Sequence, residues 1–297
     1  MSERNKALLA LVVLTLVWGE AWVWWRQMLD LAGPMTAIFH RLVIATVSLF
    51  FAMRVLGLRL KLGTPLLPTI AIGVTQTGLF FILQVWAVLQ SGPGKTSILI
   101  FTMPVWMLLL SGPLLGERVR SAQWLPVAIT VAGLLVIIAP WEGGGSFSQL
   151  LAIGSALCWA VSGILIKRLG QRQPVDLFNL NAWQMLFGML LLAAVVPFVP
   201  ERSVAWGWDY AWLLLILGVA STGGGWVLWG YILKRLPAWQ AGLSVLGIPV
   251  VANISAHLTL GEQFSPRELA GMACIAAGLA LLSWITWRQA FPKAPAA

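Results

Sequence analysis

Long apolar runs separated by short polar connections dominate this sequence. A helix needs about 20 predominantly apolar residues to cross the hydrocarbon core of a bilayer, which is about 30 Å thick. Helices satisfy their backbone hydrogen bonds internally, and these runs are far longer than the roughly 10-residue strands of a membrane barrel. The predicted spans are 7–25, 34–55, 65–90, 93–115, 121–139, 148–169, 174–199, 208–235, 237–260 and 265–288. The sequence therefore predicts an all-α integral membrane protein with ten transmembrane helices.

The composition excludes a water-soluble enzyme. Hydrophobic residues make up 59% of the chain and charged residues 10%, against about 45–50% and 25% in soluble domains. Both cysteines, Cys158 and Cys274, lie inside apolar runs, so no disulfide framework is predicted. A membrane-embedded enzyme or a channel is the rival interpretation, but the chain has two histidines and no Gly-x-Ser-x-Gly motif. We therefore expect no catalytic residue, no metal site and no cofactor.

One glycine-rich segment resembles the end of a phosphate-binding loop. Residues 92–97 read GPGKTS, but Leu89 occupies the position of the first glycine and no strand precedes it. We therefore predict no nucleotide binding, and primary pumping is not expected. Lys95 remains a candidate substrate-binding residue, because the start of a helix attracts a carboxylate. The alternative is that Lys95 only marks the water interface.

The distribution of lysine and arginine predicts how the chain lies in the membrane. With the N-terminus inside, 14 of the 19 basic residues fall in inner segments, and four fall in outer ones: Arg26, Lys95, Arg202 and Arg267. Basic residues accumulate in cytoplasmic loops, so we predict a multi-pass protein of the plasma (inner) membrane with both termini cytoplasmic. Since these charges flank apolar spans, the net charge of +9 indicates contact with the lipid bilayer and not with nucleic acid.

The two halves of the chain repeat a short pattern at an offset of 145 residues. Pro104-Val105 recurs as Pro249-Val250, Gly116-Glu117 as Gly261-Glu262, and Gly133 as Gly278. Five spans per half is an odd number, so the second half is predicted to enter the membrane inverted, an arrangement typical of transporters. The predicted organisation is a five-helix repeat at 1–140, a linker at 141–147, an inverted five-helix repeat at 148–288 and a cytoplasmic tail at 289–297.

Several of these features together resemble the EamA-type exporters of the drug/metabolite transporter superfamily. The resemblance rests on the proline and later Gly-Glu in each half, and on Trp18-Gly19 followed by Arg26. Trp159-Ala160 followed by Lys167 repeats that spacing, and Arg41 falls where the family commonly has an arginine. The resemblance implies a secondary exporter that works by alternating access, with a cavity lined by spans 1, 3, 4, 6, 8 and 9.

The high tryptophan content is most similar to the aromatic amino-acid exporters, which as a group also move other neutral amino acids. The resemblance therefore implies export of small amphipathic metabolites, above all amino acids, with other metabolites or drugs as the alternative. Three departures from the family pattern stand out: Glu20 in place of a small polar residue, Pro113 inside the fourth span, and Gln184, which faces Arg41 across the repeat.

Two charges lie well inside predicted spans and away from their ends, and charges in a bilayer core are costly enough to be functional candidates. Glu20 in the first span and Arg41 in the second lie at similar depth, which predicts an ion pair between them. Glu20 is then a candidate for proton coupling or for binding an amine, and Arg41 is the second coupling candidate. The alternatives are a static clamp between helices or a side chain that reaches the interface.

Uncharged polar residues and tryptophans supply the remaining site candidates. The polar candidates are Gln76, Gln84, Ser162 and Asn253, each of which could instead bond helix to helix. Most of the 18 tryptophans, including Trp22, Trp24 and Trp25, lie near predicted helix ends, where an interfacial belt accounts for them. Six lie deeper, and a deep indole either bonds a neighbouring helix or lines a cavity. Those six are Trp18, Trp106, Trp159, Trp183, Trp226 and Trp229, of which Trp18, Trp106, Trp159 and Trp229 are predicted to bind substrate.

Helix breakers and small residues indicate moving parts and packing seams. Pro104, Pro249 and the triplet at 223–225 weaken helical hydrogen bonding, and matched interruptions in two repeats point to the parts that move. In the last span Ala270, Cys274 and Gly278 form a small-residue face, which supports helix packing and offers a surface for a homodimer.

Overall fold

The computed structural model describes residues 3–138, 147–261 and 265–290, and every regular element within these ranges is helical. The helices are α1 (Glu3–Leu31), α2 (Pro34–Val55), α3 (Leu66–Gly73), α4 (Phe80–Ile100), α5 (Met103–Leu115), α6 (Trp124–Ile138), α7 (Phe147–Arg172), α8 (Leu177–Val195), α9 (Trp208–Leu215), α10 (Gly225–Arg235), α11 (Ala238–Ser244), α12 (Gly247–Leu260) and α13 (Pro266–Ala290). Two π-helical segments, π1 (Val74–Leu79) and π2 (Ile216–Gly224), join α3 to α4 and α9 to α10.

Seven helical stretches of the described chain are long and apolar enough to cross a membrane. They are Lys6–Leu31, Pro34–Val55, Leu66–Gln90, Phe147–Arg172, Leu177–Phe198, Trp208–Arg235 and Ala238–Thr259. Three shorter apolar helices accompany them at Met103–Leu115, Ser121–Val136 and Leu269–Leu282. All ten stretches fall within or around predicted spans, and together they make this a multi-pass membrane protein. Residues 141–146 of the predicted linker, Glu262, and the tail beyond 290 lie outside the described residues.

Two helix boundaries differ from the prediction by more than a turn of helix. Helix α1 continues to Leu31, six residues past the predicted end of the first span. Helical geometry also persists through 91–95, where a break between the third and fourth spans was predicted, and the helix ends instead at Ile100. The break at Phe101–Thr102 lies just before Pro104, whose ring would clash with the carbonyl four residues earlier in a continuous helix. Proline therefore sets this boundary more strongly than the glycines that precede it.

The second half contains a matching break at Val245–Leu246, where Leu246 N bonds the carbonyl of Leu243 three residues earlier at 3.1 Å. Pro249 follows it, so the prediction that both prolines interrupt helices is confirmed. Each new helix also ends at a glycine in the left-handed conformation, Gly116 with φ of 70° and Gly261 with φ of 69°. A residue with a Cβ rarely adopts this conformation, so glycine fixes where both helices stop.

The π segments also occupy matched positions, because π1 ends at Leu79 and π2 ends at Gly224, 145 residues later. Gly223 and Gly224 form the end of π2. Glycine has a low α-helix propensity, which is consistent with the departure from α-helical geometry here. Backbone carbonyls in or directly after these segments accept bonds from side chains of other helices. One example is the carbonyl of Phe80, which accepts from the Ser155 hydroxyl at 2.8 Å. The segments therefore serve as docking points between helices.

Helices α6 and α13 pack against each other along closely apposed small residues. A Cβ at Gly133 would lie 2.7 Å from the carbonyl oxygen of Gly271, and one at Gly278 would overlap Thr130. This part of the small-residue face is thus used within the chain, as the predicted supporting role of these helices requires. The homodimer stays a prediction.

Candidate functional site

A cavity lies among α1, α2, α4, α7, π2, α10 and α12, and the empty space within it, including the part open to solvent, is about 590 Å³. Its wall is mostly aromatic, with contributions from Trp18, Trp22, Trp25, Phe80, Phe81, Phe101, Trp159 and Trp226. Three polar side chains interrupt this surface: Arg41, Gln84 and Ser221. The cavity therefore offers apolar ring faces together with a small polar edge, which suits an amphipathic molecule.

Three tryptophans from three helices form the centre of the aromatic wall. Trp18 lies with its ring centroid 5.5 Å from that of Trp159 and 5.1 Å from that of Trp226, and the last two lie 5.9 Å apart. All three pairs meet edge to face, the arrangement that the ring quadrupole favours. Trp229, one turn after Trp226 and fully buried, packs behind them against Trp159 at 5.8 Å. The wall is consequently fixed by mutual ring contacts.

The position of Trp18 depends on the π2 segment. Its indole N–H donates to the carbonyl of Ser221 at 2.8 Å, and its ring lies against Gly225, where a Cβ would overlap it. Glycine at 225 thus allows α1 and α10 to approach, and the bond to Ser221 sets the rotation of the indole.

Arg41 lies at the polar edge of the cavity. Its Nε donates to Thr222 Oγ1, and its Nη2 donates to Ser221 Oγ at 3.1 Å. The guanidinium also lies 5.7 Å from the centre of the Phe81 ring, within cation–π range. None of the described residues that line the cavity is acidic, so every contact that holds this cation is neutral.

Three polar atoms of the cavity lining are buried without a hydrogen-bond partner among the described residues. They are the indole N–H groups of Trp25 and Trp159 and the Oε1 atom of Gln84. Buried polar groups are ordinarily hydrogen-bonded, because an unsatisfied one costs about 1–3 kcal/mol. Because these atoms belong to residues that line the cavity, they are candidates for contact with a ligand.

The structure places the predicted site residues in two groups. Trp18, Arg41, Gln84 and Trp159 line the cavity. The others lie away from its wall. Trp229 supports the ring cluster, and Ser162 donates to Gln76 Oε1 at 3.3 Å. The Trp106 N–H donates to the hydroxyl of Thr102, the residue just before α5. The side chains of Lys95 and Asn253 lie outside the described residues.

The prediction of an ion pair between Glu20 and Arg41 is wrong, because the Glu20 carboxylate and the Arg41 guanidinium have other partners. Glu20 accepts a hydrogen bond from the Ser255 hydroxyl on α12. Position 20 lies about 200° around the helix from Trp18, since each residue advances about 100°, so Glu20 points away from the cavity face of α1. Equal depth in two spans does not place two side chains on facing surfaces.

Trp22 and Trp25 are the main residues that the sequence reasoning missed. Both line the cavity, and Trp25 is only 4% exposed, so their assignment to the interfacial belt is wrong. The error follows from the end of α1, which lies at Leu31 and leaves Trp25 well inside the helix. The spacing 18, 22, 25 is that of one helix face, and it was the available signal.

Outside the cavity, a compact polar cluster ties together the ends of α5, α7 and α11. Glu117 pairs with Lys167 at 2.8 Å, and its carboxylate also accepts from the backbone N–H of Ala238 at 2.6 Å. Lys167 donates in addition to the carbonyl of Leu236. The two charged side chains are 12% and 16% exposed, so the pair is largely shielded from water.

A second buried network joins π1 to π2 through α8. Thr77 donates to Gln184 Oε1 at 2.8 Å, and Gln184 donates to Asn181 Oδ1 at 2.9 Å. Asn181 in turn donates to the carbonyl of Gly223 at 3.2 Å. The side-chain amides of Gln184 and Asn181 thus form hydrogen bonds between helices. This is the role given above as the alternative to substrate binding for polar residues within spans.

Comparisons with known proteins agree with this architecture. A probable terminal-alkyne amino-acid exporter of Streptantibioticus cattleyicolor is 29% identical, over 95% of this chain and 94% of that protein. A probable amino-acid metabolite efflux pump of Salmonella typhimurium is 26% identical, over 93% and 94%. A solved crystal structure shares the fold with a TM-score of 0.79 at 19% identity, over 95% of this chain and 99% of that chain.

The family comparison covers both halves of the chain. The EamA-like transporter family matches twice, at residues 5–139 and 146–284. The two matched segments are nearly equal in length and together leave few residues unmatched. They identify a transporter and not an enzyme, and this chain belongs to the EamA-like transporter family.

Proposed function

We propose that this protein is a secondary exporter of small amphipathic metabolites, above all aromatic and other neutral amino acids, and that it works by alternating access. The observation that carries the proposal is the cavity among the helices, whose aromatic wall meets a polar edge formed by Arg41, Gln84 and Ser221. Ring faces suit the apolar part of such a molecule, and the polar edge suits its charged groups. The names of the two amino-acid exporting relatives support the same class of substrate.

The architecture that we propose for transport has ten spans in two inverted five-helix repeats. Helix breaks, left-handed glycine caps and π segments recur about 145 residues apart, which supports two similar halves. Helices α5 and α6 and the apolar stretch Leu269–Leu282 of α13 then complete the ten crossings. Two such halves of opposite orientation can exchange an inward-open for an outward-open shape.

The described conformation is proposed to be open to the outside. With both termini in the cytoplasm of a plasma (inner) membrane protein, the second half of α1, which carries Trp22 and Trp25, lies toward the outer surface. The pair Glu117–Lys167 lies at helix ends predicted to be cytoplasmic. It ties α5, α7 and α11 together there, which supports closure on the inner side.

Counterflow in proteoliposomes tests this function. Vesicles are loaded with unlabelled phenylalanine and supplied with radiolabelled phenylalanine outside, with and without a pH gradient. We expect saturable uptake that falls at least tenfold in Trp159→Ala, which opens the cavity wall, and that persists in the control Trp124→Ala, whose side chain is 53% exposed. Conductance without saturation would identify a channel, and exchange of other metabolites but of no amino acid would reject the substrate class.

Site-directed labelling tests the inverted orientation. Single cysteines replace Arg118 and Glu262 in a variant without Cys158 and Cys274, and intact cells are treated with a membrane-impermeant maleimide. We expect labelling at position 262 and none at position 118 until the membrane is permeabilised. Equal labelling of both positions in intact cells would contradict the inversion.

A further inference from the structure

We propose that Arg41 binds the carboxylate of the substrate and that a substrate amino group is dispensable, so that the protein also exports amphipathic monocarboxylates without an amino group. This inference rests on the proposed function, because it takes the aromatic cavity to be the transport site. It narrows recognition to one required chemical group, whereas amino-acid export alone leaves the amine and the carboxylate equally important.

The first argument is the charge of Arg41. Its guanidinium carries a positive charge, and its partners are the hydroxyls of Ser221 and Thr222 and the ring of Phe81. Arg41 is partly buried among aromatic rings, where a charge without a counter-charge is costly, and the described cavity lining contains no carboxylate. A bound carboxylate supplies the missing counter-charge, and a guanidinium is well shaped to hold it through two parallel bonds.

The second argument is the surplus of hydrogen-bond donors. Two of the five N–H groups of Arg41 have acceptors among the described residues, and Trp25 and Trp159 add unpartnered indole N–H groups. Against these donors, the unpartnered acceptor among the buried side-chain atoms of the described lining is Gln84 Oε1. A ligand that satisfies this edge is rich in acceptors, as a carboxylate is.

The third argument is how little the cavity offers to an ammonium group. Gln84 Oε1 is a neutral acceptor that can take one of three ammonium protons, and Glu20 points away toward Ser255. The aromatic faces add a weak cation–π attraction, worth about 0.5–2 kcal/mol, which the nearby charge of Arg41 opposes. A zwitterion therefore leaves the net charge of the site at +1, while a monocarboxylate brings it to zero.

A matched set of phenyl compounds tests the inference on the native protein. Phenylalanine carries both charged groups, 3-phenylpropionate lacks the amine, phenethylamine lacks the carboxylate, and methyl 3-phenylpropionate lacks both charges. Binding to purified protein is measured by quenching of tryptophan fluorescence and by inhibition of phenylalanine counterflow. We expect 3-phenylpropionate to bind at least as tightly as phenylalanine, and phenethylamine and the methyl ester to bind at least tenfold more weakly.

Variants of the arginine provide the second arm. Arg41→Gln is expected to weaken 3-phenylpropionate binding at least tenfold without weakening phenethylamine, and Arg41→Lys is expected to restore part of the loss. The control is Arg54→Gln, at the exposed end of the same helix. If Arg41→Gln does not fold, the comparison of the acid with its methyl ester on the native protein still decides the question.

Each outcome distinguishes the inference from the proposed function. Saturable phenylalanine exchange that phenethylamine inhibits as strongly as 3-phenylpropionate overturns carboxylate recognition and leaves the exporter intact. Binding of the acid without counterflow of any labelled compound supports carboxylate recognition by Arg41, but it overturns both the proposed transport and the export of monocarboxylates. Absence of binding by all four compounds overturns the inference as well.

Discussion

The indole N–H of Trp18 donates to the backbone carbonyl of Ser221 at 2.8 Å across 203 residues of sequence. The bond joins α1, in the first half of the chain, to π2, in the second. The same residue, Ser221, accepts from Arg41 through its hydroxyl. One residue of a π segment thus positions both the aromatic wall and the cation of the candidate site.

We predict that Trp18→Phe destabilises the protein more than the same change elsewhere. Phenylalanine keeps most of the ring contacts but loses the bond to the Ser221 carbonyl, at a cost of about 0.5–1.5 kcal/mol. The control is Trp183→Phe, which removes a similar bond to the Leu60 carbonyl at an exposed position where water can replace it. Thermal unfolding in detergent measures both variants, and equal losses would contradict the role given to the buried bond.

Substituting the glycine beside Trp18 is predicted to be more damaging still. In Gly225→Ala the new Cβ overlaps the Trp18 ring, so α1 and α10 must separate. Overpacking of this kind costs about 1–3 kcal/mol, and we expect phenylalanine counterflow to fall at least tenfold as well. Gly170→Ala is the matched control, because a Cβ there meets nothing within 4 Å and alanine favours the helix by about 1 kcal/mol. A Gly225→Ala protein as stable and active as wild type would show that the close contact is unimportant.

The sequence predicts where the apolar helices lie, because length and hydrophobicity largely decide which segments suit a bilayer. It predicts the prolines' effect equally well, since Pro104 and Pro249 act on their own helices through local sterics. The site is harder to predict, because membership depends on helix rotation. Glu20 is only two residues from Trp22 in sequence. Its carboxylate nevertheless accepts a hydrogen bond from Ser255 on α12, while Trp22 lines the cavity.

Two further features of the site could not be inferred from the chain. A π segment changes the direction in which the side chains that follow it face around the helix. The hydrophobic pattern of residues 74–79 does not predict this geometry. The true end of α1 at Leu31 also depends on packing, and misplacing it moved Trp22 and Trp25 from the cavity to the membrane interface. These errors concern rotation and register, which tertiary contacts decide.

Breaking the shielded ion pair between Glu117 and Lys167 is predicted to lower the stability of the protein. Glu117→Gln leaves Lys167 in a largely buried position without its counter-charge and weakens the cap on α11. We expect a loss of at least 1 kcal/mol, since partly buried pairs exceed the 0–1 kcal/mol typical of surface pairs. The loss should shrink in the double variant Glu117→Gln, Lys167→Met, which removes the orphaned charge.

The exposed pair Arg26–Asp30, at 2.9 Å with side chains 49% and 70% exposed, supplies the control for this prediction. Arg26→Gln is expected to change stability by less than about 0.5 kcal/mol, because water screens the pair. Denaturation in detergent gives the three stabilities. If Glu117→Gln and Arg26→Gln behave alike, the cluster at the ends of α5, α7 and α11 does not hold them together.

Adjacent tryptophans on α1 give the sharpest test of the cavity itself. Trp25 lines the cavity with an unpartnered, buried N–H, whereas Trp24 lies on the neighbouring face of the helix. Trp25→Phe keeps an aromatic ring and removes a donor that has no partner in the protein, so stability is expected to change by less than about 1 kcal/mol. A substrate that uses this donor loses one hydrogen bond, which raises the KM for phenylalanine counterflow several-fold. Trp24→Phe is expected to leave the KM unchanged. If the two substitutions change the KM equally, the assignment of Trp25 to the cavity is contradicted.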